Sequence, residues 1–135
     1  MQERMRSMAK VVAAITAAIA LIIGMPSAGA LEIRPFSAEA LAEAKRADAP
    51  IALHFHSKWC ATCRLQAKAF DAMRSAPDLD MTLLVVDFDE DHATPRAFRV
   101  FVPAAVVVMR GSSERARLLG VVDLKALAAA LRSAL

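Results

Sequence analysis

The segment Trp59–Cys63 constrains the fold of this 135-residue chain more than any other part of it. It reads Trp-Cys-Ala-Thr-Cys, follows a predicted strand over 51–57 and opens a predicted helix over 60–75. A helix N-terminus carries unpaired N–H groups and partial positive charge, which favour the thiolate of a cysteine at the first position. Cys60 is therefore the predicted attacking thiol of a disulfide exchange. Cys63, one turn later, is predicted to resolve the mixed disulfide.

Other roles for the cysteine pair are weaker. A disulfide stabilises a fold by closing a loop of the unfolded chain, and a gap of two residues closes almost nothing. Zinc normally needs four ligands, and His54 and His56 are the nearby candidates to complete a set with the cysteines. The strand-to-helix setting and the tryptophan argue against zinc. A calcium site in the acidic stretch 87–91 is also disfavoured, because acidic loops are common at strand ends.

The first 30 residues have the three-part pattern of a secretory signal. A basic stretch (1–10) precedes an apolar run (11–23), and Ala28-Gly29-Ala30 supplies the small residues that a signal peptidase needs. Cleavage after Ala30 would leave one domain, residues 31–135, in the periplasm or outside the cell. The alternative is an uncleaved N-terminal membrane anchor, although the run of about 13 residues is shorter than the roughly 20 that span a membrane.

The charge of the mature chain gives no reason to expect nucleic acid or an anionic membrane surface as a partner. The sequence has 17 basic and 14 acidic residues, of which the leader holds three basic and one acidic. The domain is therefore nearly balanced, whereas nucleic-acid binding needs a strongly positive surface. With four glycines and no Gly-rich phosphate loop, the chain also gives no indication of a nucleotide or flavin site.

The mature chain alternates strand and helix patterns in the order βαβαβαββα. Strands are predicted over 31–36, 51–57, 81–88, 104–109 and 114–122, and helices begin at Ser37, Cys60, Thr94 and Asp123. Thr94 is the predicted cap of its short helix, with Pro95 at the first helical position and Phe101 on the apolar side. In the helix after the cysteines, Leu65 and Phe70 are among the residues expected to face inward.

These patterns predict an α/β fold with a central mixed sheet and helices on both of its faces. An early βαβ unit implies a parallel strand pair, and a closing hairpin adds antiparallel strands. The run 81–88 is almost continuously apolar and β-branched, which is typical of a central strand buried on both sides.

Over nearly its whole length, the mature chain resembles the thioredoxin family. The matching features are the Trp-Cys-x-x-Cys segment after a strand, Val102-Pro103 before a strand, Gly111 in the next turn and Gly120 before the last helix. The resemblance implies a thioredoxin-like fold, protein thiols and disulfides as substrates, and no cofactor beyond the disulfide of the two cysteines.

The resemblance also implies a substrate groove beside the cysteines. Pro103 is expected to follow a cis peptide bond, with Val102 offering backbone groups to an extended substrate segment. Trp59 would shield the site and present an apolar contact surface to the partner.

Within the family, residues 58–64 and Lys68 look most like the C-terminal thioredoxin-like domain of bacterial inner-membrane thiol reductants. Those proteins pass electrons from the cytoplasm to the periplasm. The likeness implies a monomeric reductant or electron carrier, rather than an oxidase, that is served by a membrane-embedded donor. The competing hypothesis is a binding module whose cysteines act only as a redox-set latch or a metal relay.

Some positions depart from the family pattern. Ala61-Thr62 replaces Gly-Pro between the cysteines, Ala104 replaces a threonine, and the segment 98–103 is one residue shorter than usual. His54 stands where thioredoxins have a buried aspartate that is thought to carry protons. A histidine can do the same work because its pKa lies near neutrality. The alternative is an interior histidine with satisfied hydrogen bonds and no catalytic role.

Overall fold

The computed structural model describes residues 29–135. The elements in chain order are β1 (Leu31–Pro35), α1 (Ala38–Arg46), β2 (Pro50–His56), α2 (Ala61–Ala72), β3 (Met81–Asp87), α3 (Ala93–Ala97), β4 (Ala105–Arg110), β5 (Ser113–Leu119) and α4 (Leu124–Arg132). This order confirms the predicted βαβαβαββα pattern. Residues 1–28 of the predicted signal segment lie outside the described residues, and none of the helices within 29–135 has the length and apolar character to cross a membrane.

One five-stranded sheet forms the centre of the molecule, with the strand order β1-β3-β2-β4-β5. β1 and β2 pair with β3 in parallel, β4 pairs antiparallel with β2, and β5 pairs antiparallel with β4. The predicted mixed sheet is therefore confirmed, with β1 at an edge. β2, β3 and β4 each have a strand on both sides and lie in the middle of the sheet, where helices cover both faces and most of their residues are buried.

Helices cover both faces of the sheet, and β2 contributes alternate residues to each face. Ile51, Leu53 and Phe55 belong to a core cluster beneath α1. Ala52 belongs to the second cluster, beneath α2 and α4, and His54 points to the same side. This alternation follows from the period of two of a β-strand, in which successive side chains point to opposite faces of the sheet.

Side-chain acceptors lie at the starts of all four helices within residues 29–135, and among them Ser37 and Asp123 stand at predicted helix starts. Ser37 Oγ accepts the N–H of Ala40 at 3.1 Å at the start of α1, and Asp123 Oδ2 accepts the N–H of Ala126 at 2.8 Å at the start of α4. The predicted cap at Thr94 is wrong. The carboxylate of Asp91 accepts the N–H of Ala93 and of Thr94, and a charged acceptor with two donors forms a stronger cap than a hydroxyl.

The buried face of α2 differs from the prediction in one position. Leu65 is 52% exposed, whereas Gln66 is fully buried. The buried positions of α2 repeat every three or four residues from the second cysteine: Cys63, Gln66, Ala69 and Phe70. Leu65 lies about 100° away from Gln66 around the helix axis.

Both ends of β5 are set by backbone turns. The strand begins after Gly111, which takes φ +55 in the hairpin, and ends at Leu119, where Gly120 takes φ +67. Glycine has no Cβ and adopts these left-handed angles without strain. The strand is therefore three residues shorter than predicted at its C-terminal end.

Candidate active site

The two cysteines form a disulfide at the N-terminus of α2, with their Cα atoms 5.2 Å apart. Cys60 is the N-cap residue, and its Sγ accepts the N–H of Cys63 at 3.1 Å. Cys60 is partly exposed and Cys63 is fully buried. A partner sulfur can therefore reach Cys60 first, and the same N–H stabilises a thiolate there when the disulfide is reduced.

The carbonyl oxygen of Phe55, at the end of β2, joins the buried sulfur to a distant loop. Cys63 Sγ lies 3.8 Å from this oxygen, and the N–H of Ala104 donates to it at 2.9 Å. The fold thus brings the residue after Pro103 next to the cysteine pair, as the resemblance implied. Long-range strand pairing makes this contact, because β4 begins beside the end of β2.

The expectation of a cis bond before Pro103 is wrong. None of the peptide bonds in residues 29–135 is cis, so the Val102–Pro103 bond is trans. The chain turns into β4 at Ala104 instead, with φ +66. The carbonyl oxygen of Ala104 accepts hydrogen bonds from Gly120 N at 2.9 Å and from Gln66 Nε2 at 3.0 Å. Both hydrogen bonds anchor Ala104 in its left-handed conformation, and this residue makes the turn into β4.

Large apolar side chains are exposed in two segments, one directly before Cys60 and one directly before Pro103. Trp59 precedes Cys60 and is 80% exposed, while Phe101 and Val102 precede Pro103 and are 78% and 48% exposed. The predicted place of Phe101 on the apolar side of α3 is wrong, because the helix ends at Ala97. Exposed apolar side chains mark an interaction surface where they form a contiguous patch, and Phe101 and Val102 are adjacent in the chain.

The acidic stretch after β3 holds the loop in front of the disulfide. Asp89 accepts the hydroxyl of Ser57 at 2.8 Å and the N–H of Lys58 at 3.1 Å, and Asp87 accepts the N–H groups of Asp89 and Glu90. Three of these four hydrogen bonds come from backbone N–H groups, so the carboxylates stabilise the loop conformation. Within residues 29–135, no group of three or more His, Cys, Asp or Glu side chains is placed to hold a metal ion.

His54 is buried beneath α2, where it contacts one side chain by a hydrogen bond and two aromatic rings by packing. Its Nε2 lies 2.9 Å from Gln66 Oε1, and its ring packs edge-on against Phe70 and His56, with centroids 5.2 and 5.5 Å away. Burial lowers the pKa of His54 to about 4, against the opposing effect of the Gln66 hydrogen bond. The ring is therefore neutral at neutral pH and does not supply a permanent positive charge to a thiolate.

The remaining histidines and Lys58 have peripheral positions. His56 is half-buried at the end of β2 and borders a cavity of about 390 Å³ with Lys58 and Asp87. Lys58 is exposed, and its ammonium lies 5.4 Å from the centre of the Trp59 ring. His92 is exposed just before α3. Lys58 and His92 therefore lie at the surface.

A mixed five-stranded sheet that carries a half-exposed CxxC disulfide at a helix start defines a thiol–disulfide oxidoreductase. The thioredoxin family model matches residues 34–133, and the chain belongs to this family. This family uses no cofactor beyond its redox-active disulfide and acts on protein thiols and disulfides.

Solved structures of thioredoxins have the same architecture. Trxlp from Edwardsiella tarda EIB202 superposes with a TM-score of 0.70 at 26% identity, over 74% of this chain and 98% of that one. A mutant thioredoxin from Halobacterium salinarum NRC-1 gives 0.64 at 19% identity, over 82% and 95%. Thioredoxin O2 from Arabidopsis thaliana, in the oxidized state, gives 0.60 at 23%, over 75% and 90%. A search among curated proteins gave no match.

Proposed function

We propose that the chain is an exported reductant that passes two electrons from the Cys60 and Cys63 thiols to disulfides of other exported proteins. The observation that carries the proposal is the asymmetry of the pair. The reachable sulfur of Cys60 receives an N–H at a helix start, and the buried sulfur of Cys63 is bonded to it. This arrangement gives one sulfur to the substrate and keeps the other for the second step.

The reaction proceeds in two exchanges. The Cys60 thiolate attacks one sulfur of the substrate disulfide, forms a mixed disulfide and releases the other substrate sulfur as a thiolate. Cys63 then loses its proton and attacks Cys60 Sγ, which closes the intramolecular disulfide and releases the second substrate thiolate. The two electrons of the dithiol thereby reside on the substrate sulfurs, which take up two protons.

His54 is the proposed acceptor of the Cys63 proton. It is neutral and buried behind the helix that carries the cysteines, and a neutral imidazole can take up a proton. Because burial penalises the charged ring, the proton is stable on His54 only while a nearby thiolate compensates it. Such a group acts transiently during exchange and releases its proton afterwards.

Trp59, Phe101, Val102 and Pro103 are the proposed docking residues for the substrate. Their exposed apolar surface suits an extended or unfolded segment around a substrate disulfide. The trans bond counts against carrying the family's groove geometry over to Pro103, so its proposed role rests on its place next to Ala104, whose N–H donates to the Phe55 carbonyl oxygen beside Cys63.

Export and the direction of electron flow rest on the sequence. The signal pattern of residues 1–30 supports a periplasmic or secreted location, and the likeness of 58–64 to inner-membrane thiol reductants supports a reductant served by a membrane-embedded donor. A monomer is proposed, so that the surface around Cys60 remains open to large partners.

A trapping experiment tests the exchange reaction. Cys63→Ala leaves the attacking thiol without a resolving partner, so this variant should accumulate mixed disulfides with periplasmic proteins, which a reducing gel resolves. The matched control, Cys60→Ala, should trap nothing. Wild-type protein should also reduce insulin with a suitable donor, and failure in that assay together with an absence of trapped partners would favour the binding-module hypothesis.

The reduction potential tests the direction. A reductant should titrate near the roughly −270 mV of thioredoxin, and a value near the roughly −120 mV of strong oxidants would reject a reducing role. Export has a separate test, the mass of the protein recovered from the periplasm. It should begin at Leu31, and recovery with Met1 to Ala30 attached would indicate the anchored form instead.

A further inference from the structure

Gln66 is the most deeply buried polar residue of α2, and the exchange reaction described above gives it no role. Its side chain is 0% exposed, yet three hydrogen bonds satisfy it. Its Nε2 donates to the carbonyl oxygens of Ala104 at 3.0 Å and Val121 at 2.9 Å, and its Oε1 lies 2.9 Å from His54 Nε2. Burying an amide is costly without such partners, so a complete set in a core position indicates a specific role.

The hydrogen bonds determine which way the amide points. Backbone carbonyl oxygens only accept, so the amide nitrogen must face Ala104 and Val121. A flipped amide would set its oxygen against both of those oxygens and leave its two hydrogens without these acceptors. Gln66 Oε1 therefore faces His54, and His54 Nε2 must carry a hydrogen to complete that bond.

The orientation of Gln66 thus selects one tautomer of His54. A neutral imidazole has one N–H, and with that hydrogen on Nε2 the free lone pair lies on Nδ1. If the ring takes up a proton at Nδ1, the bond from Nε2 to Gln66 is unchanged. His54 can therefore gain and lose a proton while its hydrogen bond to α2 stays in place, and a site that needs no rearrangement during proton transfer is preorganised.

Few charged groups surround the ring. Its register partners on the neighbouring strands, Val85 on β3 and Val106 on β4, are apolar. A cavity of about 240 Å³ borders the ring, and the other titratable or charged residues that line it are His56 on β2, Asp71 on α2 and Arg74 just after α2. Cys63 lies one helical turn before Gln66 on the same buried face. Neither cysteine lines this cavity.

We propose that Gln66 is a positioning residue for the exchange reaction: it holds His54 as the Nε2–H tautomer, so that the proton of the Cys63 thiol is accepted at Nδ1. The inference rests on the proposed function. When Cys63 attacks the mixed disulfide, its proton moves to Nδ1 and its electron pair stays on sulfur, where it forms the new bond to Cys60. The imidazolium then returns the proton to the released substrate thiolate or to water.

The same amide joins the histidine to the substrate-docking loop. Ala104, whose oxygen it binds, follows Pro103, and Val121 follows the turn at Gly120. One side chain of α2 therefore holds together the proposed proton acceptor and the segment before β4. A change at Gln66 is expected to affect both, so the test has to separate them.

Nitrogen-15 NMR of the imidazole tests the tautomer directly. Wild-type protein should show a protonated-type signal for Nε2 and an unprotonated-type signal for Nδ1 of His54. Gln66→Met removes the acceptor and should give a mixture of tautomers, whereas Gln66→Glu keeps an oxygen toward His54 and should retain the Nε2–H form. The matched control Met73→Ala opens the core at the end of α2 without touching the network and should leave the wild-type pattern.

The kinetic arm connects the tautomer to the reaction. Resolution of a preformed mixed disulfide at Cys60 should slow by roughly tenfold or more in Gln66→Met, with an altered pH profile, because the proton acceptor is misplaced. Gln66→Glu loses the bonds to Ala104 and Val121 but keeps the tautomer, so its resolution rate should stay nearer to wild type. Formation of the mixed disulfide by Cys60, which reports the docking loop, should change to the same extent in Gln66→Met and Gln66→Glu, because both lose the bonds to Ala104 and Val121. Both rates in Met73→Ala should change little.

Several results would overturn the proposal. An unprotonated Nε2 of His54 in the wild type would overturn it, even if no Gln66 variant folds. Equal resolution rates in wild type and Gln66→Met would overturn it as well. If the NMR pattern holds but the wild type catalyses no exchange, the proposed function fails and the tautomer assignment stands, so the two failures are distinguishable.

Discussion

The two faces of β2 show how one strand serves both the fold and the site. Ile51, Leu53 and Phe55 point into the cluster under α1, where every buried side chain is apolar. On the other face, His54 lies between apolar neighbours and binds Gln66 on α2. Sequences that specify a fold usually satisfy each local rule, and the positions that break a rule concentrate at functional sites. The comparison thus separates the face that stabilises the sheet from the face that supports the cysteines.

The faces also differ in the source of their stability. Apolar burial stabilises the α1 side by a term that does not depend on protonation. The His54 side depends on a neutral imidazole and on complete hydrogen bonding of an amide, and both conditions depend on pH or on partners far along the chain. Substitutions on the two faces should therefore differ in pH dependence as well as in size.

The largest effect is expected on the apolar face. Leu53→Ala removes a fully buried side chain beneath α1 and should lower the free energy of unfolding by about 4 kcal/mol, from lost burial and the cavity left behind. Urea denaturation at pH 7 measures the loss. The variant should lose as much stability on acidification as wild type does, because no titratable group is removed, and a changed acid sensitivity would break the distinction between the faces.

A somewhat smaller effect, visible only as a pH dependence, is expected for His54→Leu. The folded-state pKa of His54 is about 4, below the ordinary value of 6.5, so between these pH values the unfolded chain binds more protons. The stability that neutral His54 contributes is fully present above about pH 6.5 and is lost as the pH falls towards 4. At about 1.4 kcal/mol per pKa unit the loss is about 3 kcal/mol.

The measurement compares wild type and His54→Leu by urea denaturation at pH 7 and pH 4. Effects of the carboxylates are common to both proteins and cancel in the comparison. Wild type should lose about 3 kcal/mol more than the variant over this interval. Parallel losses would show that folding does not lower the pKa of His54, which would contradict the effect of its burial.

The smallest effects are expected at the helix caps, where the faces should behave alike. Ser37→Ala at α1 and Asp123→Ala at α4 each remove one bond to a helix N–H and should each lower the free energy of unfolding by about 1 kcal/mol. Thermal denaturation of the pair at neutral pH checks this. If removing one cap lowers the free energy of unfolding several times more than removing the other, the two helices contribute unequally to the two cores.

Much of the fold could be predicted because its signals are local. The period of two in β2 gave the two faces of the strand, and the small polar residues Ser37 and Asp123 marked helix starts through bonds to the next turn. The cysteines were equally clear, since a strand followed directly by a helix places Cys60 at its N-terminus. Each of these predictions depends on residues within one or two turns of each other.

The errors concern competition between nearby groups or contacts between distant ones. Thr94 lies inside the first turn of α3 and does not cap it, because the helix begins at Ala93, where the Asp91 carboxylate accepts the N–H groups of Ala93 and Thr94. Gln66 was overlooked because it is polar, although counting three and seven residues from Cys63 to Gln66 and Phe70 places all of them on the buried face of α2. That count is the signal that could have found it.

By itself the sequence determined the order of elements, the family and the identity of the two sulfurs, because strand period, helix capping and a cysteine at a helix start are properties of short segments. Only the tertiary structure decided that Gln66 joins His54 to the loop at Ala104 and that Pro103 follows a trans bond. Those outcomes depend on hydrogen bonds between residues 12 to 55 positions apart, and such bonds exist only once the sheet has paired and α2 has packed upon it.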